Sequence, residues 1–211
     1  MTTADAGAVA TQRVEIRTVA ILRGYAADDA VRVAQRCWAT GIDLVEVTVQ
    51  SPESWEALAA IRGVADGRMV GAGTVVSVEL AQRAVQAGAA PLIAPGFDPE
   101  VVAWAQEAGV PILPGVTTAT EVTRAVAHGV RTCKLFPAGV LGADYLRALR
   151  GPFPDVAFVA TGAVGAANAH DLVAAGAAAL AFGGQVERVL DNPATLAAAA
   201  SITSPWSLPA K

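Results

Sequence analysis

Lysine, histidine and cysteine are nearly missing from this 211-residue chain, each occurring twice. Cys37 and Cys133 cannot build a disulfide framework, and a reducing cytoplasm is the natural setting for such a chain. His128 and His170 fall in helix-like stretches and are too few to converge on a hard divalent cation, so no metal site is expected. Charged residues make up only 16%, the net charge is −4, and the 15 Lys and Arg are scattered. A nucleic-acid partner is therefore not expected. No run of about 18 uninterrupted apolar residues occurs, so no membrane-spanning helix is expected. The first residues, MTTADAGAVATQRVEIR, lack a basic stretch followed by an apolar core, and a signal peptide is not expected. Lys134 is the only lysine before Lys211, which leaves one interior candidate for chemistry that needs an amine.

What is abundant is apolar residue, at 54%. A chain of this size fits one domain that buries about 70% of its unfolded surface. Five times a helix-like stretch ends in glycine and an apolar run follows at once: ATG-IDLVEV, QAG-AAPLIAP, EAG-VPILP, AHG-VRTCKLF and AAG-AAALAF. Gly41, Gly88, Gly109, Gly129 and Gly176 sit where a left-handed residue just past a helix end is wanted. The runs are continuous rather than alternating, as strands buried on both faces must be. With TVAILR, MVGAG and VAFVAT they make eight strands, starting near residues 18, 43, 69, 91, 111, 131, 156 and 179. Asp28–Asp29, Ser51-Pro52-Glu53 and Ser77 mark helix starts between them. Eight even β-then-α units predict an α/β protein, a single (β/α)8 (TIM) barrel over residues 14–190. Residues 1–13 read as a short polar segment. Residues 191–211 read as a low-complexity tail, loose or helical near 193–201, with Trp206 able to dock on the barrel or a neighbour.

In such a barrel the chemistry gathers where the strands end. Those ends carry Arg23, Glu46 with Thr48 and Gln50, Gly73-Thr74, Pro95, Lys134 with Phe136, Thr161-Gly162-Ala163 and Gly183-Gly184-Gln185. Strand alternation puts Thr132, Lys134 and Phe136 on one face and Cys133 and Leu135 on the other. An outward Lys134 would be trapped unpaired between strand and helix, so it is expected to point into the barrel. There it is either a nucleophile toward a carbonyl or a structural lysine paired with a carboxylate. Glu46, on the inward face with Leu44 and Thr48, is the matching carboxylate, as proton carrier or as ion-pair partner. The glycine-rich ends near Gly162 and Gly183-Gly184 suit an anion held by backbone N–H groups. His128, His170, Cys37, Cys133, Trp38, Trp55 and Trp104 are expected to pack rather than react.

Taken in order, ILRG, VEVTVQSP, VGAGTV, APGF, PGVTTATEV, KLFPA and ATGAV…FGG resemble the 2-keto-3-deoxy-6-phosphogluconate aldolase family. That family also holds phosphogalactonate and 4-hydroxy-2-oxoglutarate aldolases. The resemblance implies a class I aldolase without cofactor, a homotrimer acting on a small 2-keto sugar acid. It implies Lys134 as Schiff-base lysine and Glu46 as general acid/base. It also implies Thr74 and Thr161 near the keto-acid end, Pro95 and Phe136 as pocket walls, and Gly162 and Gly184 in phosphate loops, with Ala163 and Gly183 beside them. Gln50 stands where the gluconate-type enzymes carry an arginine, and Arg23 is expected to supply that charge to the substrate carboxylate. Ala163 replaces a usual glycine and Gln185 a usual serine, so a weakened phosphate preference is expected. Two rival readings remain: an isomerase or epimerase with Glu46 as base, and a sugar-acid-binding barrel without turnover.

Overall fold

The structure is a computed structural model and describes residues 13–184 and 186–209. The strands are β1 (Arg13–Ile16), β2 (Thr18–Leu22), β3 (Leu44–Thr48), β4 (Met69–Gly73), β5 (Leu92–Ile93), β6 (Ile112–Leu113), β7 (Gly115–Val116), β8 (Thr132–Leu135), β9 (Ala157–Thr161), β10 (Ala179–Phe182) and β11 (Trp206–Pro209). Between them run α1 (Ala27–Ala39), α2 (Pro52–Val64), α3 (Val78–Gln86), α4 (Pro99–Glu107), α5 (Ala119–Ala127), α6 (Ala138–Leu141), α7 (Ala143–Arg150), α8 (Ala169–Ala174), α9 (Val186–Leu190) and α10 (Pro193–Ala200).

Nine strands form one parallel sheet in the order β6-β5-β4-β3-β2-β10-β9-β8-β7. β6 and β7 are two halves of one stave, separated by Pro114. The first half pairs with β5 and the second with β8, so the stave bridges the two ends of the sheet and the barrel has eight walls. Each predicted strand start lies within a residue or so of an observed one. All five glycines expected just past helix ends have positive φ, from +66° to +91°.

Two apolar layers follow from strand alternation. Val19, Ile21, Leu44, Ile93, Leu113, Val159, Ala179 and Ala181 fill the barrel, while Ala20, Leu22, Val45, Val47, Cys133 and Leu135 face the helices. Ser51 caps α2 in a reciprocal box with Ser54, and the Ser77 hydroxyl accepts from Leu80 N at 3.2 Å. α1 differs from expectation: it starts at Ala27 behind Ala26, so Asp28 and Asp29 lie in its first turn, where their charge suits the helix dipole.

Of the two readings of the segment beyond residue 190, the helical one describes it, and Trp206 docks on the barrel. α10 follows an Asn192 cap, and β11 then pairs antiparallel with β1, Ile16 opposite Trp206. Ile16, Trp206 and Leu208 join the barrel-interior cluster and close its floor. Burial of these three apolar side chains is what holds the tail. The polar segment expected over residues 1–13 lies outside the described residues except for Arg13, which begins β1.

Candidate active site

Lys134 is the third residue of β8, between Cys133 and Leu135, which are both fully buried against the helical layer. Alternation therefore turns its side chain inward, as the sequence requires. Only 5% of Lys134 and 1% of Glu46 is exposed. Lys134 Nζ lies 3.9 Å from Glu46 Oε1, a charge contact too long for a direct hydrogen bond. Glu46 Oε1 is buried and has no hydrogen-bond partner among the described residues. Burial pushes the Glu46 carboxyl above the ordinary carboxylate value, and the positive charges of Lys134 and Arg23 pull it partly back. A carboxyl that holds its proton more tightly than usual, beside the Lys134 amine, is suited to proton transfer.

A cavity of about 690 Å³ opens above this pair at the C-terminal end of the barrel. On one side Arg23 follows β2, and its Nη1 donates to Gln50 Oε1 beyond β3. Thr74, at φ +62°, follows β4, and Pro95 follows β5. Phe136 leans over the amine with its ring centre 5.7 Å from Lys134 Nζ. Thr161, at the end of β9, is buried with its hydroxyl directed to Val159 O at 3.4 Å.

Gly162, Ala163, Gly183 and Gly184 complete the opposite wall. Ala163 stands at φ +54°, a left-handed conformation that an alanine enters only at a cost. Its loop is pinned: Asn168 Nδ2 donates to Ala163 O at 2.9 Å, and Gly165 N donates to Asn168 Oδ1 at 3.0 Å. The cavity thus gathers the expected binding and anion-loop residues around Lys134, while Glu46 lies behind the amine and off the cavity wall. Gln185 lies outside the described residues.

Ile21 and Val164 also line the cavity. Inward alternation along TVAIL identifies Ile21 in the sequence; no local signal marks Val164. A hydrogen-bonded chain likewise escapes sequence reading. Tyr145 Oη donates to Thr117 O at 2.6 Å, and Thr117 Oγ1 donates to Phe136 O at 2.5 Å, which ties α7 to the backbone of the pocket wall.

The residues set aside lie apart from this cavity. His128 caps α5 and meets the Phe97 ring edge at 5.3 Å, and His170 is on α8. Cys37 and Cys133 are buried, and desolvation pushes both thiols up to about 12. Trp38, Trp55 and Trp104 pack on the helical layer, with Arg68 over Trp38 and Arg83 over Trp55. Among the described residues no cluster of three or more His, Cys, Asp or Glu is placed to hold a metal ion.

The family described as "Aldolase: KDPG and KHG aldolase" matches residues 9–193. A 2-dehydro-3-deoxy-phosphogluconate aldolase of Treponema pallidum (strain Nichols) is 42% identical over 160 residues, 75% of this chain and 76% of the relative. The 2-dehydro-3-deoxy-6-phosphogalactonate aldolase of Escherichia coli (strain K12) is 32% identical over 172 residues, 81% of this chain and 84% of the relative. Among solved structures, KDPG aldolase from Legionella pneumophila, with pyruvate captured as a covalent carbinolamine intermediate, superposes with a TM-score of 0.77. It is 27% identical, over 88% of this chain and 92% of that one.

Proposed function

Because this chain belongs to the KDPG and KHG aldolase family and is a class I aldolase of keto-deoxy sugar acids, we propose that Lys134 forms the iminium and Glu46 moves the protons. The amine attacks C2 of a 2-keto-3-deoxy-4-hydroxy acid, and Glu46 helps the carbinolamine lose water. Removal of the C4 hydroxyl proton breaks the C3–C4 bond, releases the aldehyde and leaves an enamine on Lys134. Protonation at C3 and hydrolysis of the iminium free pyruvate and the amine. The iminium serves as electron sink for the breaking bond, and Phe136 and Thr161 flank it.

The observation that carries this reading is the buried Lys134–Glu46 pair at 3.9 Å beneath an open cavity. Ion pairs this deep gain little stability, because desolvation offsets their attraction. Catalysis gives such a costly pair a use. Lys134→Met should keep the fold by circular dichroism and lose aldol cleavage by on the order of 10³-fold or more. Cleavage within tenfold of the parent chain would refute the assignment. The non-covalent isomerase and the non-catalytic binder are not favoured by the family match.

Arg23 is the carboxylate-holding cation in this reading, kept in place by Gln50, with Thr74 and Pro95 shaping the keto-acid end. Gly162, Gly183 and Gly184 receive the distal end of the substrate, while the Ala163 methyl weakens its phosphate preference. The protein acts in the cytoplasm, which its two buried free thiols suit. It assembles as a homotrimer, a reading that rests on the family; exposed Val76 and Val140 are apolar surface available to be covered.

A further inference from the structure

Gly73 ends β4 opposite Thr48 of β3. A Cβ built on it would lie 1.9 Å from Glu46 Oε1, 2.6 Å from Cδ and 2.7 Å from Cγ. Glu46 itself is registered two residues earlier, opposite Gly71, so its side chain leans toward the active-site end to reach this space. The carboxylate therefore occupies the volume that any other side chain at position 73 would fill.

Two features separate Gly73 from the other tightly packed glycines. Unlike those of Gly162 and Gly176, its φ is not positive, so an alanine meets no backbone penalty there and the requirement is for space alone. The three nearest atoms all belong to Glu46, whereas at Gly115 and Gly139 the obstructions include backbone carbonyls of Pro95 and Ala163, each 2.1 Å away. Glu46 Oε1 also has no hydrogen bond among the described residues to fix it. Its place is set by the shape of the wall and by the field of Lys134.

We propose that Gly73 is a positioning residue for the reaction: by lacking a side chain it aims the Glu46 carboxylate at the amine and at the carbon next to the iminium. The proposal rests on Glu46 being the proton carrier. An alanine at 73 would force Oε1 to retreat by about 1 Å or more to reach even a 3.0 Å contact. A misplacement of that size costs about 10²-fold in a proton transfer.

The test measures deuterium exchange into the pyruvate methyl group in heavy water by NMR, with borohydride-trapped pyruvyl adduct scored on the same samples. Gly73→Ala should reach an end-point yield of adduct within a few-fold of the parent chain while the exchange rate falls about 10²-fold. In the Glu46→Ala background, where all three obstructing atoms are gone, the same alanine should cost the residual, formate-rescued exchange no more than a few-fold. An equal loss in both backgrounds would make Gly73 a general structural residue and overturn the proposal. So would exchange at the parent rate in Gly73→Ala. Glu46→Gln exchanging at the parent rate would instead remove the role assigned to Glu46, a distinct outcome. If Gly73→Ala fails to fold, Gly73→Ala/Glu46→Ala decides: formate-rescued exchange near that of Glu46→Ala alone supports the proposal, and a 10²-fold deficit ends it.

Discussion

Ala163→Gly should stabilise the protein and sharpen its preference for a phosphorylated aldol. Ala163 holds φ at +54°, and its loop cannot relax easily, because Asn168 grips both Ala163 O and Gly165 N. From below, Gly139 packs so closely that a Cβ on it would lie 2.1 Å from Ala163 O. An alanine held left-handed costs roughly 1–2 kcal/mol. Glycine relieves that strain but gives the unfolded chain more freedom, which takes back about 0.4–1 kcal/mol. Ala163 is exposed, so little burial is lost. The balance is a gain of about 0.8 kcal/mol, or about 2–3 °C in Tm for a chain of this length. Removing the methyl also lets phosphate approach the loop amides. One added charge-assisted hydrogen bond raises the kcat/KM ratio of phosphorylated over unphosphorylated aldol about tenfold. Differential scanning fluorimetry and paired steady-state assays read the two effects. A lower Tm would refute the strain argument, and an unchanged ratio would refute the steric account of phosphate preference.

Arg23→Ala should weaken pyruvate binding about 10–100-fold, the value of a charge-assisted carboxylate contact, as measured by trapped adduct against pyruvate concentration. Unchanged affinity would end the role given to Arg23. The same variant tests the electrostatics of Glu46. Burial raises the Glu46 carboxyl above its ordinary value of 4.5, so the acid limb of methyl exchange should lie above pH 4.5. Arg23 favours the ionised form, so its loss should move that limb to higher pH; a shift downward would contradict the site's charge balance. At the barrel floor, Trp206→Ala should cost about 3–5 kcal/mol in urea unfolding while the folded protein still forms the pyruvyl adduct. A loss under 1 kcal/mol would mean that β11 does not hold the floor closed.

The barrel was legible because its signals are local. A continuous apolar run needs only its own residues to read as a buried strand, and a glycine just past a helix needs only its neighbours. Lys134 and Glu46 were legible for a related reason: a charge in mid-strand must point inward, and alternation says which residues accompany it. The β1–β11 ribbon was not legible, since RVEI and WSLP are too short to identify alone and pair across nearly the whole chain. Pro114 splits the fifth stave, which a strand-by-strand reading renders as a single run. Neither the Arg23–Gln50 hydrogen bond nor the Tyr145–Thr117–Phe136 chain has a sequence signature, because each joins residues from different β-then-α units. Gly73 illustrates the limit most sharply. In MVGAGTV it reads as one of two alternating glycines, and only the position of the Glu46 carboxylate shows what its missing side chain makes room for.

The most direct test of the account is mass spectrometry of the intact protein and its peptides after incubation with pyruvate and borohydride, with Lys134→Ala alongside. A single reduced pyruvyl adduct on the parent chain, mapped to Lys134 and absent from the variant, is the predicted result. A folded parent chain that yields no adduct, or one modified equally in Lys134→Ala, would contradict the iminium mechanism.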